Sequence, residues 1–167
     1  CRYFKMSADS GSKVGLYKYG CMLRDGEGIE QNEEEACRYF KLAIEKGQND
    51  ALVQYGLMIK EGRGVEPNPE EAARCFKEAA DKGQADGMYN YGKMLKNGEG
   101  VEKNEEEYVK YCKAAADKGQ INAMHDYGLM LKEGEGVTVN KKEAIRYFKL
   151  GSDKGNTPSM VQLGLML

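Results

Sequence analysis

Four patterns in this chain are of the kind that carries chemistry. His125 is the only histidine. Catalysis at a histidine needs a nucleophile or a carboxylate held beside it. At a variable position on a helix surface, His125 reads as a contact residue instead. Gly-x-Gly pairs stand at 26/28, 62/64, 98/100 and 134/136. Such a pair suggests a phosphate loop only after a strand; here each pair follows a helical pattern, so turn geometry accounts for it. Acidic runs occur at Glu33-Glu34-Glu35 and Glu105-Glu106-Glu107. They open helical segments, where negative charge favours the helix dipole. Glu34 with Arg38 and Glu106 with Lys110 are expected to pair one turn on.

The fourth pattern is the set of five cysteines, Cys1, Cys21, Cys37, Cys75 and Cys112. They lack the close clustering of a metal site and the even count of a disulfide framework. They read as free thiols in a reducing compartment, the alternative being one or two bridges with a thiol left over. No catalytic, cofactor-binding or metal site is therefore assigned, and the chain is not expected to be an enzyme.

Charge narrows the class further. Lys and Arg total 25 against 27 Asp and Glu, a net charge of −2 over 167 residues. Nucleic-acid binding would call for a basic excess, so no nucleic-acid partner is expected. No apolar run approaches the ~18 residues of a membrane span. The thiols point to the cytoplasm, with the reservation that a leader could precede Cys1.

What positions these residues is a repeat. Tyr19-Gly20 returns as Tyr55-Gly56, Tyr91-Gly92, Tyr127-Gly128 and then Leu163-Gly164, in steps of 36. Gly11, Gly47, Gly83, Gly119 and Gly155 keep the same step, as do the Gly-x-Gly pairs. Three series in phase over the whole chain mark a repeat architecture. Each unit holds two helical patterns. In the first, helix A, Leu52, Tyr55, Gly56 and Ile59 recur at i, i+3, i+4 and i+7, one face of a helix over 49–61. Gly62 closes it. Gly56 costs ~1 kcal/mol inside a helix, so its recurrence predicts that a neighbouring helix crosses there. In the second, helix B, Ala72, Phe76, Ala79 and Ala80 form the apolar face from Pro69 to Lys82. Asn68 followed by Glu71 predicts a cap with a glutamate reaching back, and Asn32/Glu35, Asn104/Glu107 and Asn140/Glu143 repeat it. Such pairs bury their apolar faces only by stacking on neighbours. The expected fold is all-α, a right-handed α-α superhelix (solenoid) of 36-residue helix-turn-helix repeats. It is divided as a partial helix at 1–11, repeats at about 12–47, 48–83, 84–119 and 120–155, and a partial repeat at 156–167.

The motif Ala51, Tyr55-Gly56, Ile59, Gly62, Gly64-Val65, then Ala72, Cys75, Ala79-Ala80 and Gly83 resembles the Sel-1-like repeat family, a relative of the tetratricopeptide repeat. The resemblance covers the whole chain. Tyr replaces the usual Leu before Gly in four units, and Tyr39, Cys75, Tyr111 and Tyr147 hold the usual Trp site. Some secreted bacterial members carry a cysteine pair in each repeat; this chain does not, so their suggested β-lactam chemistry is not carried over. The resemblance implies a scaffold or adaptor without cofactor or chemistry.

By register, Cys1 lies inside a helix B and Leu167 inside a helix A, so the chain reads as an excerpt of a longer array. Uncapped apolar residues at its end, among them Val161 and Leu165, would permit end-to-end self-association. In tetratricopeptide-like solenoids helix A lines the concave side, and by resemblance the same is expected here. One varying column holds Tyr17, Val53, Tyr89 and His125; another holds Cys21, Leu57, Lys93 and Leu129. Arg24, Lys60, Lys96 and Lys132 occupy one position near the end of helix A. They would either complement the helix dipole or form a basic ladder that grips acidic side chains. The expected function is a protein-interaction scaffold whose groove binds a protein or peptide with acidic groups. The alternatives are a regulatory or targeting arm of a larger enzyme and a self-stacking structural array.

Overall fold

The computed structural model describes residues 2–167; Cys1, and with it the placement of the first thiol, lies outside the described residues. Ten α-helices and no strand occur among them. They are α1 (Arg2–Asp9), α2 (Lys13–Asp25), α3 (Glu33–Glu45), α4 (Asp50–Glu61), α5 (Pro69–Asp81), α6 (Ala85–Asn97), α7 (Glu105–Asp117), α8 (Ile121–Glu133), α9 (Lys141–Asp153) and α10 (Thr157–Met166). Helices A are α2, α4, α6, α8 and α10; helices B are α1, α3, α5, α7 and α9. The chain forms two compact units, one ending at Lys82 and one running from Gly83 to Leu167. In the first, α2 packs on α1 and α3, and α4 on α3 and α5. In the second, α7 joins α6 to α8, and α9 joins α8 to α10.

The helix ends follow the sequence. Asn32, Asn68, Asn104 and Asn140 each accept at Oδ1 from the backbone N–H three residues on, at 3.0 Å. The glutamates do not reach back, because the cap's own N–H is already taken. Asn32 N–H donates to Leu23 O at 2.8 Å and Asn68 N–H to Ile59 O at 2.9 Å. Helix A closes on Gly26, Gly62, Gly98 and Gly134, all at positive φ, a left-handed conformation that glycine adopts without strain. Of the two expected ion pairs, Glu106–Lys110 forms at 2.7 Å. Arg38 instead takes Glu35 at 3.2 Å.

The crossing predicted at the helix-A glycine is made by helix B of the same repeat. A Cβ on Gly56 would meet Phe76 Cε1 at 2.7 Å, and one on Gly128 would meet Phe148 Cε1 at 2.6 Å. Phe40, Phe76 and Phe148 are fully buried. The third repeat reverses the sizes. Where the others have Ala and Phe on helix B, it has Tyr108 and Cys112, and Tyr108 covers Gly92. The tyrosines at the unusual Leu and Trp sites face one another edge to face. Tyr19–Tyr39, Tyr91–Tyr111 and Tyr127–Tyr147 lie 4.9–5.0 Å apart at 84–90°, a geometry worth ~0.5–1.5 kcal/mol beyond burial. In the second repeat Cys75 stands at the partner position, and Tyr55 turns its hydroxyl to Glu71 at 3.2 Å.

Candidate protein-binding surface

The varying helix-A positions are only partly open. Tyr17 and His125 sit over the helix-B rings Phe40 and Phe148, each with centroids 5.9 Å apart and tilted at 46° and 50°. Val53, at the same position, is buried at 7% exposure, so it offers no contact surface and its place in the expected groove is corrected. Tyr89 is half-buried and donates its hydroxyl to Asp126 Oδ2 at 3.0 Å. One turn on, Cys21, Leu57, Lys93 and Leu129 are all half-buried. Lys93 Nζ lies 3.9 Å from Asp126 Oδ2 and over the Tyr89 ring at 6.0 Å. The second unit thus presents Tyr89, Lys93, His125 and Leu129 on α6 and α8, with Asp126 engaging Tyr89 and Lys93.

The cations at the end of helix A have internal partners. Arg24 pairs with Asp25 at 2.6 Å and donates to Gln54 Oε1 on the next helix A. Lys132 Nζ donates to Gln162 Oε1 at 2.9 Å in the same register. Lys96 is exposed and stands over the Tyr108 ring at 5.2 Å. Lys60 is half-buried and also engaged. Arg24 and Lys132 therefore join successive helices A as well as complementing helix dipoles. The residue that receives the cation, thirty positions on, was not singled out from sequence. It is Gln54 or Gln162 where the bond forms, and Asp126 at the corresponding place after Lys96.

Electrostatics follow from this packing. The hydrogen bond from Arg24 holds the Asp25 carboxyl below the usual range. Burial, with Cys21 beside it, pushes the Tyr17 hydroxyl up to about 12. Burial and the Asp126 carboxylate push Tyr89 well above its ordinary value. Both phenols stay protonated donors at neutral pH. Cys21, Cys37, Cys75 and Cys112 are free thiols, the last three buried. His125 Nδ1 is enclosed without a hydrogen-bond partner. Among the described residues no three or more His, Cys, Asp or Glu side chains are placed to hold a metal ion. No helix among them is long and apolar enough to cross a membrane.

The chain is similar over 99% of its length to a protective antigen of uropathogenic Escherichia coli displaying an SLR fold, with a TM-score of 0.90 and 26% identity. A Sel1 repeat protein of Oxalobacter formigenes matches 92% of it, with a TM-score of 0.80 and 28% identity. The chain spans 35% of the first protein and 63% of the second. Helicobacter pylori cysteine rich protein B matches 76% of the chain, over 96% of its own length, at a TM-score of 0.59 and 19% identity, which shows a shared fold. No curated protein matches the chain. The Sel1 repeat profile matches residues 14–48, 49–84, 85–120 and 121–156. Solenoids of the Sel1 and tetratricopeptide kind are typically non-catalytic scaffolds for protein interaction. In helix register, glycine placement and matched residues alike, the chain belongs to the Sel1 repeat family.

Proposed function

We propose that this scaffold binds a protein or peptide segment on the helix-A faces of its units. The observation that carries this reading is the half-open cluster of Tyr89, Lys93, His125 and Leu129. It varies from repeat to repeat, whereas the helix-A glycines Gly20, Gly56, Gly92 and Gly128 beneath it are constant. Tyrosine and aliphatic groups bordered by charge suit the apolar core and polar rim of an interface. In the first unit Tyr17 and Leu57 hold the places of Tyr89 and Leu129, and Arg24 and Lys60 those of Lys96 and Lys132. Lys96, the most open of the cations, favours a segment with acidic side chains, and Arg24, Lys60 and Lys132 add positive potential although each is engaged internally. The free thiols support a reducing compartment such as the cytoplasm. Affinity capture with the full-length protein tests the reading. Leu129→Asp combined with Lys93→Glu should lose the captured partner while the helical circular dichroism stays unchanged. Undiminished capture by that folded variant would remove the helix-A face from the interface.

A second reading, end-to-end association, rests on α10. A Cβ on Gly164 would meet nothing within 4 Å, and Val161, Leu165 and Leu167 are exposed. A helix B, from further chain or from a second copy, fits that face. Sedimentation at rising concentration of the full-length protein tells the two apart.

A further inference from the structure

The loops after α4 and α8 rest on the start of the preceding helix B within their own units. In the first unit Arg63 fills that contact. Its Nε and Nη2 donate to Glu33 Oε1 at 2.8 and 2.5 Å. Its carbonyl accepts from the Cys37 thiol at 3.3 Å. Gly64 follows so closely that a Cβ would fall 2.3 Å from the carbonyl carbon of Glu33.

Two repeats later the same frame recurs with one charge reversed. Glu33 becomes Glu105, Cys37 becomes Val109, Met58 becomes Met130 and Gly64 becomes Gly136, but Arg63 becomes Glu135. Gly136 is again close-packed, its added Cβ 2.8 Å from Val109 Cγ2. In place of a filled contact there is a cavity of about 390 Å³. Val109, Met130 and Tyr108 give it apolar walls, and Glu105 and Glu135 line it with two carboxylates. Lys103 hydrogen-bonds Glu105 at 2.8 Å and holds its carboxyl below the usual range, so it is ionised at neutral pH. Lys96 also borders the cavity. Its counterpart Arg24 stands in the first unit beside an occupied site, turned to Asp25 and Gln54.

We propose that this cavity of the second unit receives an arginine side chain of a protein partner, in the place that Arg63 fills from within the first unit. The planar guanidinium offers donors to two carboxylates at once. Its alkyl stem covers apolar wall while the head stays at the carboxylates. The volume lies at the lower end of small-ligand sites, ~300–1,000 Å³. The proposal concerns the opposite charge from the helix-A surface, borders it at Lys96, and does not rest on that surface binding a partner.

The test is a titration of the full chain, ¹⁵N-labelled, with acetyl-Ala-Arg-Ala-amide. The amides of Val109, Met130 and Gly136 should shift, and the citrulline and lysine counterparts should bind at least about tenfold more weakly. Glu135→Arg should restore the internal ion pair and abolish the response with the fold intact. Glu135→Gln, an isosteric change, should weaken it and serves should the arginine variant fail to fold. Equal binding of the citrulline or lysine peptide, the absence of shifts at those amides, or an unchanged response in folded Glu135→Arg or Glu135→Gln would overturn the assignment.

Discussion

The backbone N–H of Asn104 donates to the carbonyl of Leu95 at 2.9 Å, joining the start of α7 to the end of α6 across the Gly-x-Gly loop. The side chain of the same asparagine accepts from Glu107 N–H at 3.0 Å. One residue thus satisfies an unpaired carbonyl at one helix end and an unpaired amide at the next. Asn104→Ala keeps the first bond and loses the second, so it should cost ~1 kcal/mol. Glu107→Ala removes only a charge near the dipole and should cost ~0.3–1 kcal/mol. Urea unfolding of both variants checks the order; a larger loss for Glu107→Ala would restore the reciprocal capping box.

The helix-A glycines should not respond alike to alanine. At Gly128 and Gly56 the new methyl would sit 2.6 and 2.7 Å from a buried phenylalanine ring, against 3.3 Å from Tyr108 and Tyr111 at Gly92. Overpacking costs ~1–3 kcal/mol, while leaving glycine for alanine in a helix returns ~1 kcal/mol. Gly128→Ala and Gly56→Ala should therefore lower the thermal midpoint, and Gly92→Ala should leave it near the wild-type value. Equal losses at all three would place the constraint in the backbone rather than the ring.

How the fold was legible follows from these same residues. The period of 36, the asparagine caps and the closing glycines are local signals, and each appears where the spacing put it. The site was less legible because side-chain partners come from other repeats. Arg24 fits either a cation complementing the helix dipole or a rung of a basic ladder, and neither reading contains Gln54, thirty residues on, which engages it. Val53 shared a column with Tyr17 and His125 but is small enough to sink into the core. Tyr19 and Tyr39, at the two substituted family positions, pack edge to face; each substitution read alone showed only retained bulk.

The thiols give the chain an alkaline weakness. Burial pushes Cys75 and Cys112 up to about 12 and Cys37 up to about 11, from an ordinary 9.0. The folded state thus favours the protonated thiols. Their contribution is complete below pH 9 and is lost as pH rises from there through the folded values. Urea midpoints should fall above pH 9, and Cys75→Ala should flatten that fall. At pH 8, iodoacetamide should label the half-buried Cys21 before Cys37, Cys75 and Cys112, as read by peptide mass spectrometry. Earlier labelling of Cys112 would contradict its burial.

The reversed pair in the third repeat predicts a rescue. Ala36, Ala72 and Ala144 lie one turn before Phe40, Phe76 and Phe148, whereas Tyr108 lies one turn before Cys112, and all eight are buried. Tyr108→Ala alone would leave Gly92 uncovered, with a loss near the ~3–5 kcal/mol of other aromatic truncations. Cys112→Phe alone would force a second ring beside Tyr108, costing ~1–3 kcal/mol. Together they rebuild the arrangement of the other repeats, so the double variant should lose less than the sum of the two single losses, by a coupling of ~0.5–3 kcal/mol. A double-mutant cycle in urea measures that term. Simple additivity would mean that the two side chains do not share the space over Gly92.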